Sequence, residues 1–415
     1  MVMGWKLPRR TVLGAAALVS VAGCTALGTT DLDSTPLPDR ETTTLESPRV
    51  DWPLGRGDSR NSGYGDFDGG TAPRELAWTV SGDAGVYAEP ILADGRLFYF
   101  DLDRRTIALE AKTGERLWSE QDGNWLTPAA ADDQRVYVQG TGTGPGGTGS
   151  DFLVRDARTG EIEWKLDQRS PTKFGPRLYD GFVYLGANYD GTVTKYDAED
   201  GDERWRVELG DSVGPIAVDD DGIVACVDRE TIVRLDHDGD GVWNRRIGFD
   251  GGGVSNTGDV PTALSLHHEL VLVSVDDGSL LALDTTSGER RWRYETGSES
   301  LVSHPTIVND RVFVVDRAGV VHAVTTDGDG VWTWETDTDS EGWRGELFNY
   351  GINATNDWLY VLGFDDHVHV LDPDASSPAL ETRWDVGIAT SPPIVVGDAA
   401  VLTGTTTTVR AFTLE

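Results

Sequence analysis

Asp156-Ala157-Arg158-Thr159-Gly160-Glu161-Ile162-Glu163-Trp164 is the stretch on which the fold turns. A small residue, a Thr-Gly pair and a tryptophan four residues later spell a tight turn feeding a strand. The arrangement recurs. Ala108-Leu109-Glu110-Ala111-Lys112-Thr113-Gly114 leads to Trp118, and Tyr196-Asp197 with Gly201 leads to Trp205. Leu235-Asp236 with Gly239 leads to Trp243, and Ala282-Leu283-Asp284 with Ser287-Gly288 leads to Trp292. Val324 with Gly328 leads to Trp332 and Trp334, and Val370-Leu371-Asp372 leads, less regularly, to Trp384. With Trp78 as the start, the repeat tryptophans Trp78, Trp118, Trp164, Trp205, Trp243, Trp292, Trp334 and Trp384 are 40, 46, 41, 38, 49, 42 and 50 residues apart. A unit of that length is one four-stranded propeller blade.

Each unit has the same parts. A segment opens near a proline (Pro90, Pro128, Pro176, Pro215, Pro261, Pro305, Pro393), and an alternating strand such as Arg96-Leu97-Phe98-Tyr99-Phe100 follows. An Asp/Gly turn such as Asp276-Asp277-Gly278 comes next, then a third strand, the Thr-Gly turn and the tryptophan strand. A bulky indole on the outermost strand covers the neighbouring blade, so these tryptophans are expected to pack blades rather than bind ligand. Val409-Arg410-Ala411-Phe412-Thr413-Leu414 is a third strand with no fourth after it, and Leu76-Ala77-Trp78-Thr79-Val80 is a fourth with no third before it. Paired, they complete one blade and leave no open sheet edge. The expectation is an all-β, eight-bladed propeller of antiparallel blades; seven blades is the alternative if the irregular unit around 335–384 is not one.

Bulk composition agrees with a repeat of turns and aromatic contacts: 415 residues hold 50 Gly and 14 Trp. Acids outnumber bases 70 to 35, a net charge of −35. Such a surface repels itself in low salt and is screened in high salt. The acids are spread over every loop, which favours a protein of a salt-loving organism over an ordinary acidic protein. Nucleic acid is excluded as a partner, because phosphate binding needs a basic face. Of the two cysteines, Cys226 sits in the apolar alternation Ile223-Val224-Ala225-Cys226-Val227 and reads as a buried strand residue.

The other, Cys24, ends the leader. Lys6 and Arg9-Arg10 precede an apolar stretch from Val12 to Val21 that is too short to span a bilayer. Val21-Ala22-Gly23-Cys24 resembles a lipobox, and the arginine pair resembles a twin-arginine export signal. Residues 1–24 are therefore expected to be a lipoprotein signal. Residues 25–50, rich in Thr, Pro, Asp and Glu, are expected to be a disordered tether, and residues 51–415 the propeller. The chain is expected to be exported, held by lipid on Cys24 at the outer face of the cytoplasmic membrane, and to work as a monomeric ring.

The repeat, Ala-x-Asp-x-x-Thr-Gly-x-x-x-Trp in its best copies, resembles the propeller of the pyrroloquinoline-quinone enzymes and their non-catalytic relatives, among them the outer-membrane assembly lipoprotein of Gram-negative bacteria. Trp52-Pro53-Leu54-Gly55-Arg56-Gly57-Asp58-Ser59-Arg60-Asn61-Ser62-Gly63 looks like the opening segment of that family, so the resemblance covers residues 52–415. It is specific for fold and weak for activity, because the repeat is a packing motif. Dehydrogenases of the family typically carry adjacent cysteines against the quinone, with Glu, Asn and Asp serving calcium and the catalytic base. This chain has no adjacent cysteines and no Cys-x-x-Cys-His. The resemblance therefore implies a propeller without catalysis or cofactor, and leaves quinone and calcium as the other reading.

Several local features compete for function. Asp236-His237-Asp238-Gly239-Asp240-Gly241 matches the first half of a calcium loop, but Ile247 stands where the bidentate acid belongs. Asp236, Asp238 and Asp240 are thus a weak metal candidate at a Thr-Gly-type turn. Arg56-Gly57-Asp58 reads as an adhesion tripeptide only by coincidence, and Asn353-Ala354-Thr355 is a glycosylation sequon. His267-His268, His304 and His367-x-His369 lack a metal spacing. Two connections from a tryptophan strand to the next inner strand are long, Gly248 to Val260 and Thr336 to Ile352. The second carries Trp343, Arg344, Phe348, Asn349 and Tyr350, a set suited to a binding loop or to a plug in the funnel. Two classes of function follow: a lipid-anchored surface platform for a protein, peptide or glycan, or a quinone-dependent alcohol or sugar dehydrogenase. A third, an assembly factor, needs an outer membrane, which the salt-adapted composition argues against.

Overall fold

A computed structural model of the chain describes residues 35–45 and 51–415, apart from 83, 123–124, 127–129, 142–149, 169–173, 229, 248–260, 299, 302, 336–350, 364, 387–388, 390 and 404–406. Every regular element among the described residues is a strand. They form eight antiparallel four-stranded blades in sequence order, joined into an eight-bladed propeller; the seven-blade alternative falls away. Blade 1 runs from the inner strand Val86–Ala93 through Arg96–Asp101 and Arg105–Glu110 to the outer strand Arg116–Gln121. The inner edge of blade 2 is formed by Trp125–Leu126 and Ala130–Ala131, and its outer strand is Ile162–Gln168. Inner and outer strands of the next five blades are Arg177–Tyr179 and Glu203–Glu208, Val213–Asp219 and Gly241–Arg246, Pro261–His267 and Arg290–Glu295, Thr306–Val308 and Gly330–Glu335, and Ile352–Ala354 and Leu380–Asp385. Blade 8 takes Ile394–Val396, Ala399–Thr403 and Thr408–Leu414 from the C-terminal end and Pro73–Ser81 from the N-terminal end. The irregular unit around 335–384 is therefore blade 7.

One contact repeats at all eight interfaces. The indole Nε1–H of an outer-strand tryptophan donates to a backbone carbonyl of the next blade, which lies in that blade's outer turn in every case but Trp384. Trp78 donates to Ala111 O (2.9 Å), Trp118 to Ala157 O (3.0 Å), Trp164 to Ala198 O (3.3 Å) and Trp205 to His237 O (2.9 Å). Trp243 donates to Thr285 O (2.8 Å), Trp292 to Thr326 O (2.8 Å), Trp332 to Ala375 O (3.0 Å) and Trp384 to Thr71 O (2.8 Å). Next to the tryptophan the ladder between the third and fourth strands slips by one residue, as between Ala108 and Leu109 or Ala282 and Leu283. Such a bulge re-aims the side chain at that point.

Blade 6 corrects the expected register. Trp332, not Trp334, is the latch: it lies opposite Ala323 at the bulge, and Trp334 packs edge-on against His369, 4.7 Å between ring centres. Two tryptophans two residues apart share a strand face, so spacing alone did not separate them. In blade 7 the bulge position, opposite Val370, is Thr382; Trp384 stands two residues further on, opposite Val368.

The tether is also shorter than expected. Within 25–50, residues 35–45 lie against the ring: Thr35–Pro36 pairs in parallel with the outer strand of blade 7, and Leu45 is buried. Composition fails here because two leucines, Leu37 and Leu45, suffice to hold a segment whose neighbours are all polar or proline. Cys24 and the rest of the leader lie outside the described residues.

Beneath six of the eight indoles, those of Trp78, Trp118, Trp164, Trp205, Trp243 and Trp292, a turn glycine is fixed by two demands at once. Gly160 has φ +76° and a Cβ there would come within 2.8 Å of the Trp118 ring; Gly328 has φ +95° and would meet Trp292 at 2.6 Å. We expect Gly160→Ala to cost about 2–4 kcal/mol by strain plus overpacking. Gly181, with φ +76° and open space around it, is the control. Denaturant unfolding in molar KCl should show Gly181→Ala losing clearly less, and equal losses would remove the crowding argument.

Candidate functional site

The inner strands of the blades converge on an axis and present edge carbonyls and amides that need partners. Residues 52–65 supply them. Trp52 and Leu92 exchange backbone hydrogen bonds (2.8 Å each way), and Ala131 N donates to Pro53 O. Val218 N donates to Ser59 O, Leu266 N to Arg60 O, Ile307 N to Ser62 O and Ala354 N to Gly63 O. One short segment thus touches blades 1, 2, 4, 5, 6 and 7 in sequence order. The Asn61 carboxamide adds donations to Ile216 O (3.0 Å) and Leu264 O (2.8 Å). The segment lies at the far ends of the inner strands and forms a hub across that end of the ring.

Arg56 is the centre of the hub. Its guanidinium is buried and donates to Ile352 O (2.7 Å), Asn353 Oδ1 (3.1 Å) and Thr306 Oγ1 (2.5 Å). Glu89 accepts from the Arg56 backbone N through Oε2 (3.0 Å) and from Asn353 Nδ2 through Oε1 (2.8 Å). Asn353 Nδ2 also reaches Pro393 O, at 3.2 Å. Burial lowers the Arg56 pKa, with Glu89 and Asp58 pulling it back up. Gly63 is required beside it, at φ +64°, because a Cβ would lie 2.0 Å from Arg56 Nη2.

Around this core stand three further groups. Asp58 accepts from the Ser62 and Arg60 backbone amides, and burial pushes its carboxyl up. Arg177 donates to Ile216 O and Pro176 O, and burial brings its guanidinium down to about 10. His304 is half-buried; burial first, then the charges of Arg56 and Arg177, hold it down at about 3. Arg56 Nε, Asn61 Oδ1 and His304 Nδ1 have no partner among the described residues.

The hub answers several sequence expectations. Arg56-Gly57-Asp58 is an internal turn, not an adhesive one. Asn353, in the sequon, is only 1% exposed and its carboxamide is spent on Glu89, Pro393 and Arg56, so no glycan fits there in the folded ring. Asp236 uses one carboxylate oxygen to accept the amides of Asp238 and Asp240 at 3.0 and 2.9 Å, the ordinary chemistry of a turn. Cys226 is buried in the strand Gly222–Val227. Trp343, Arg344, Phe348, Asn349 and Tyr350 lie outside the described residues, as does the connection 248–260. The hub itself carried one signal in sequence, the conspicuous segment 52–63; a single arginine in a loop has no local pattern that announces burial.

A quinone with calcium, which the family resemblance implies as one reading, needs carboxylate and amide donors free to meet it. In the hub, Glu89 and Asn353 are closed on Arg56 and on each other. These residues do not fit that group as arranged, and no chemical step is derived through it.

Two outcomes follow for the hub. Arg56→Ala leaves the buried Glu89 carboxylate without its charged neighbour and should cost about 3–5 kcal/mol in denaturant unfolding, whereas a loss within experimental scatter would deny Arg56 its place. The folded ring also keeps His304 neutral, at about 3, and His267 low, at about 4, both below the unfolded value of 6.5. The unfolded chain therefore binds more protons as pH falls, so stability from these groups is full above 6.5 and declines toward 3–4. Unfolding free energy measured between pH 7 and pH 5 should fall, and His304→Gln should flatten part of that slope.

A family model described as outer membrane protein assembly factor BamB matches residues 70–174, 149–259 and 228–340, together more than half of the chain. The outer membrane protein assembly factor BamB of Yersinia pestis is 23% identical over 360 residues, covering 81% of this chain and 88% of its own. The crystal structure of BamB from Moraxella catarrhalis matches with a TM-score of 0.61 at 17% identity, covering 81% of this chain and 99% of that one. Quinohemoprotein alcohol dehydrogenase from Comamonas testosteroni matches with a TM-score of 0.67 at 14% identity, covering 89% of this chain and 81% of that one. At these identities the structural likeness is one of fold.

Proposed function

We propose, from the premise that this chain belongs to the outer membrane protein assembly factor BamB family, that it is a non-catalytic binding platform, exported and held at a membrane surface by lipid on Cys24. The observation that carries this reading is the closed hub. Glu89 and Asn353 are consumed by Arg56, so the ring's buried polar chemistry holds the ring together rather than facing a substrate. Chemistry left over for a partner lies in the loops. The connection after Glu335 brings Trp343, Arg344, Phe348, Asn349 and Tyr350, residue types that anchor protein and glycan interfaces. The partner is a protein, peptide or glycan outside the cytoplasm. The net charge of −35 keeps the platform soluble in the high salt for which we take it to be built.

Two measurements test the reading. Full-length protein in molar KCl, mixed with pyrroloquinoline quinone and calcium, should give neither cofactor absorbance on the protein nor dye-linked oxidation of alcohols or sugars. Turnover would replace the platform with a dehydrogenase. Second, the triple variant Trp343→Ala, Phe348→Ala, Tyr350→Ala should melt at the wild-type temperature while losing the surface crosslink partner that the wild type retains. A fall in melting temperature with the partner retained would make the loop a plug.

A further inference from the structure

The ring has one interface unlike the others, and the segment 35–45 lies on it. Blades 1 to 6 and blade 8 place a tryptophan at the bulge of the outer strand, as Trp332 opposite Ala323 or Trp78 opposite Ala411. Blade 7 places Thr382 there. Its latch, Trp384, sits two residues on and bonds Thr71 O, which is not in a continuous turn. Blade 8 has no such turn, because its third strand ends at Leu414 and its fourth begins at Pro73. Thr71 N to Glu415 O (2.7 Å) and Glu415 N to Ala72 O (3.0 Å) stitch the gap. The seam between blades 7 and 8 therefore lacks both the regular indole and the covalent turn beneath it.

Residues 35–45 meet both deficits. Thr35 and Pro36 pair with Trp384 and Asp385, and the Thr35 hydroxyl bonds the Thr382 hydroxyl at 3.1 Å. Leu37 packs on the cluster of Leu76, Tyr360, Trp384 and Phe412, which is the blade 7–8 interface. The segment then crosses to blade 8, where Thr42 N donates to Leu76 O (3.1 Å) and Glu41 Oε1 accepts from Thr79 N (3.0 Å). Leu45, 2% exposed, ends in the cluster of Trp78, Leu97 and Ile107 between blades 8 and 1. Three footholds on three blades are more than a passing linker needs.

We infer that the outer cleft between blades 7 and 8 is a docking groove for the chain's own residues 35–45, which act as a clasp on the ring's non-covalent seam. Thr35 holds Thr382 at the bulge position, Leu37 packs on the displaced indole of Trp384, and Leu45 fastens the far side of the composite blade. Ring closure is thus coupled to the segment that leads back toward the N-terminus. When the clasp lifts, the seam loosens before any other interface.

Hydrogen exchange on the full-length chain in molar KCl tests this. The double variant Leu37→Ala, Leu45→Ala should speed exchange about tenfold or more in residues 73–81 and 408–414, with Gly222–Val227 of blade 4 changed far less. Should the double variant fail to fold, Leu37→Ala alone reads the same contrast at residues 359–362 and 408–414. Unchanged exchange at the seam overturns the clasp, and so does an equal rise in every blade.

Discussion

The indole-to-carbonyl hydrogen bond that crosses every blade interface is the interaction on which the rest depends. Its donor lies on the outer strand of one blade and its acceptor in the next blade, so no blade satisfies its own tryptophan. A buried indole N–H without an acceptor costs about 1–3 kcal/mol, while the made bond returns about 1 kcal/mol net. The latch therefore works chiefly by penalising an open ring. At six of the interfaces the bulge beside the tryptophan and the glycine beneath it belong to the same device: one aims the ring, and the other makes room for it.

A closed ring creates a second problem at its axis. The inner strands end there with edge groups that need partners. Residues 52–65 solve it with the chain's own backbone. The cost is a buried guanidinium at Arg56, offset by three hydrogen bonds and by the Glu89 carboxylate close by. Removing one member of such a set is far worse than never having it, and Arg56 ties the opening segment to blades 6 and 7 through its side chain and to blade 1 through its backbone N–H. His304 stays neutral in this setting because burial disfavours its charged form and two guanidiniums add to that.

The repeat was legible because its parts are local. Asp156 to Trp164 contains the turn, the glycine and the indole within nine residues, and the terminal half-strands 76–80 and 409–414 declared how the ring shuts. What could not be read was any feature made by contacts between distant residues. Trp332 and Trp334 are equivalent to a periodicity argument, and only the position of the bulge separates them. Leu37 and Leu45 are two apolar residues in a polar tract, and their value lies in clefts formed by residues hundreds of positions away. Asn353 matched a surface motif because a sequon says nothing about burial. The segment 52–63 stood out, yet the role of Arg56 at its centre was invisible, since its partners Glu89, Thr306 and Asn353 come from three different blades.

These constraints also limit where a partner can bind. Outer turns are taken by the latches, inner-strand ends by the hub, and the outer edge of blade 7 by residues 35–36. The stretches not used to close the ring are chiefly the connections from an outer strand to the next inner strand. The two longest of these run from Arg246 to Pro261 and from Glu335 to Ile352. A connection that carries no closure duty can lengthen at little thermodynamic cost, because loop entropy grows only logarithmically with length. The division of labour follows: the latches and the hub are committed to holding eight blades together, and the long connections are left for the recognition proposed for them.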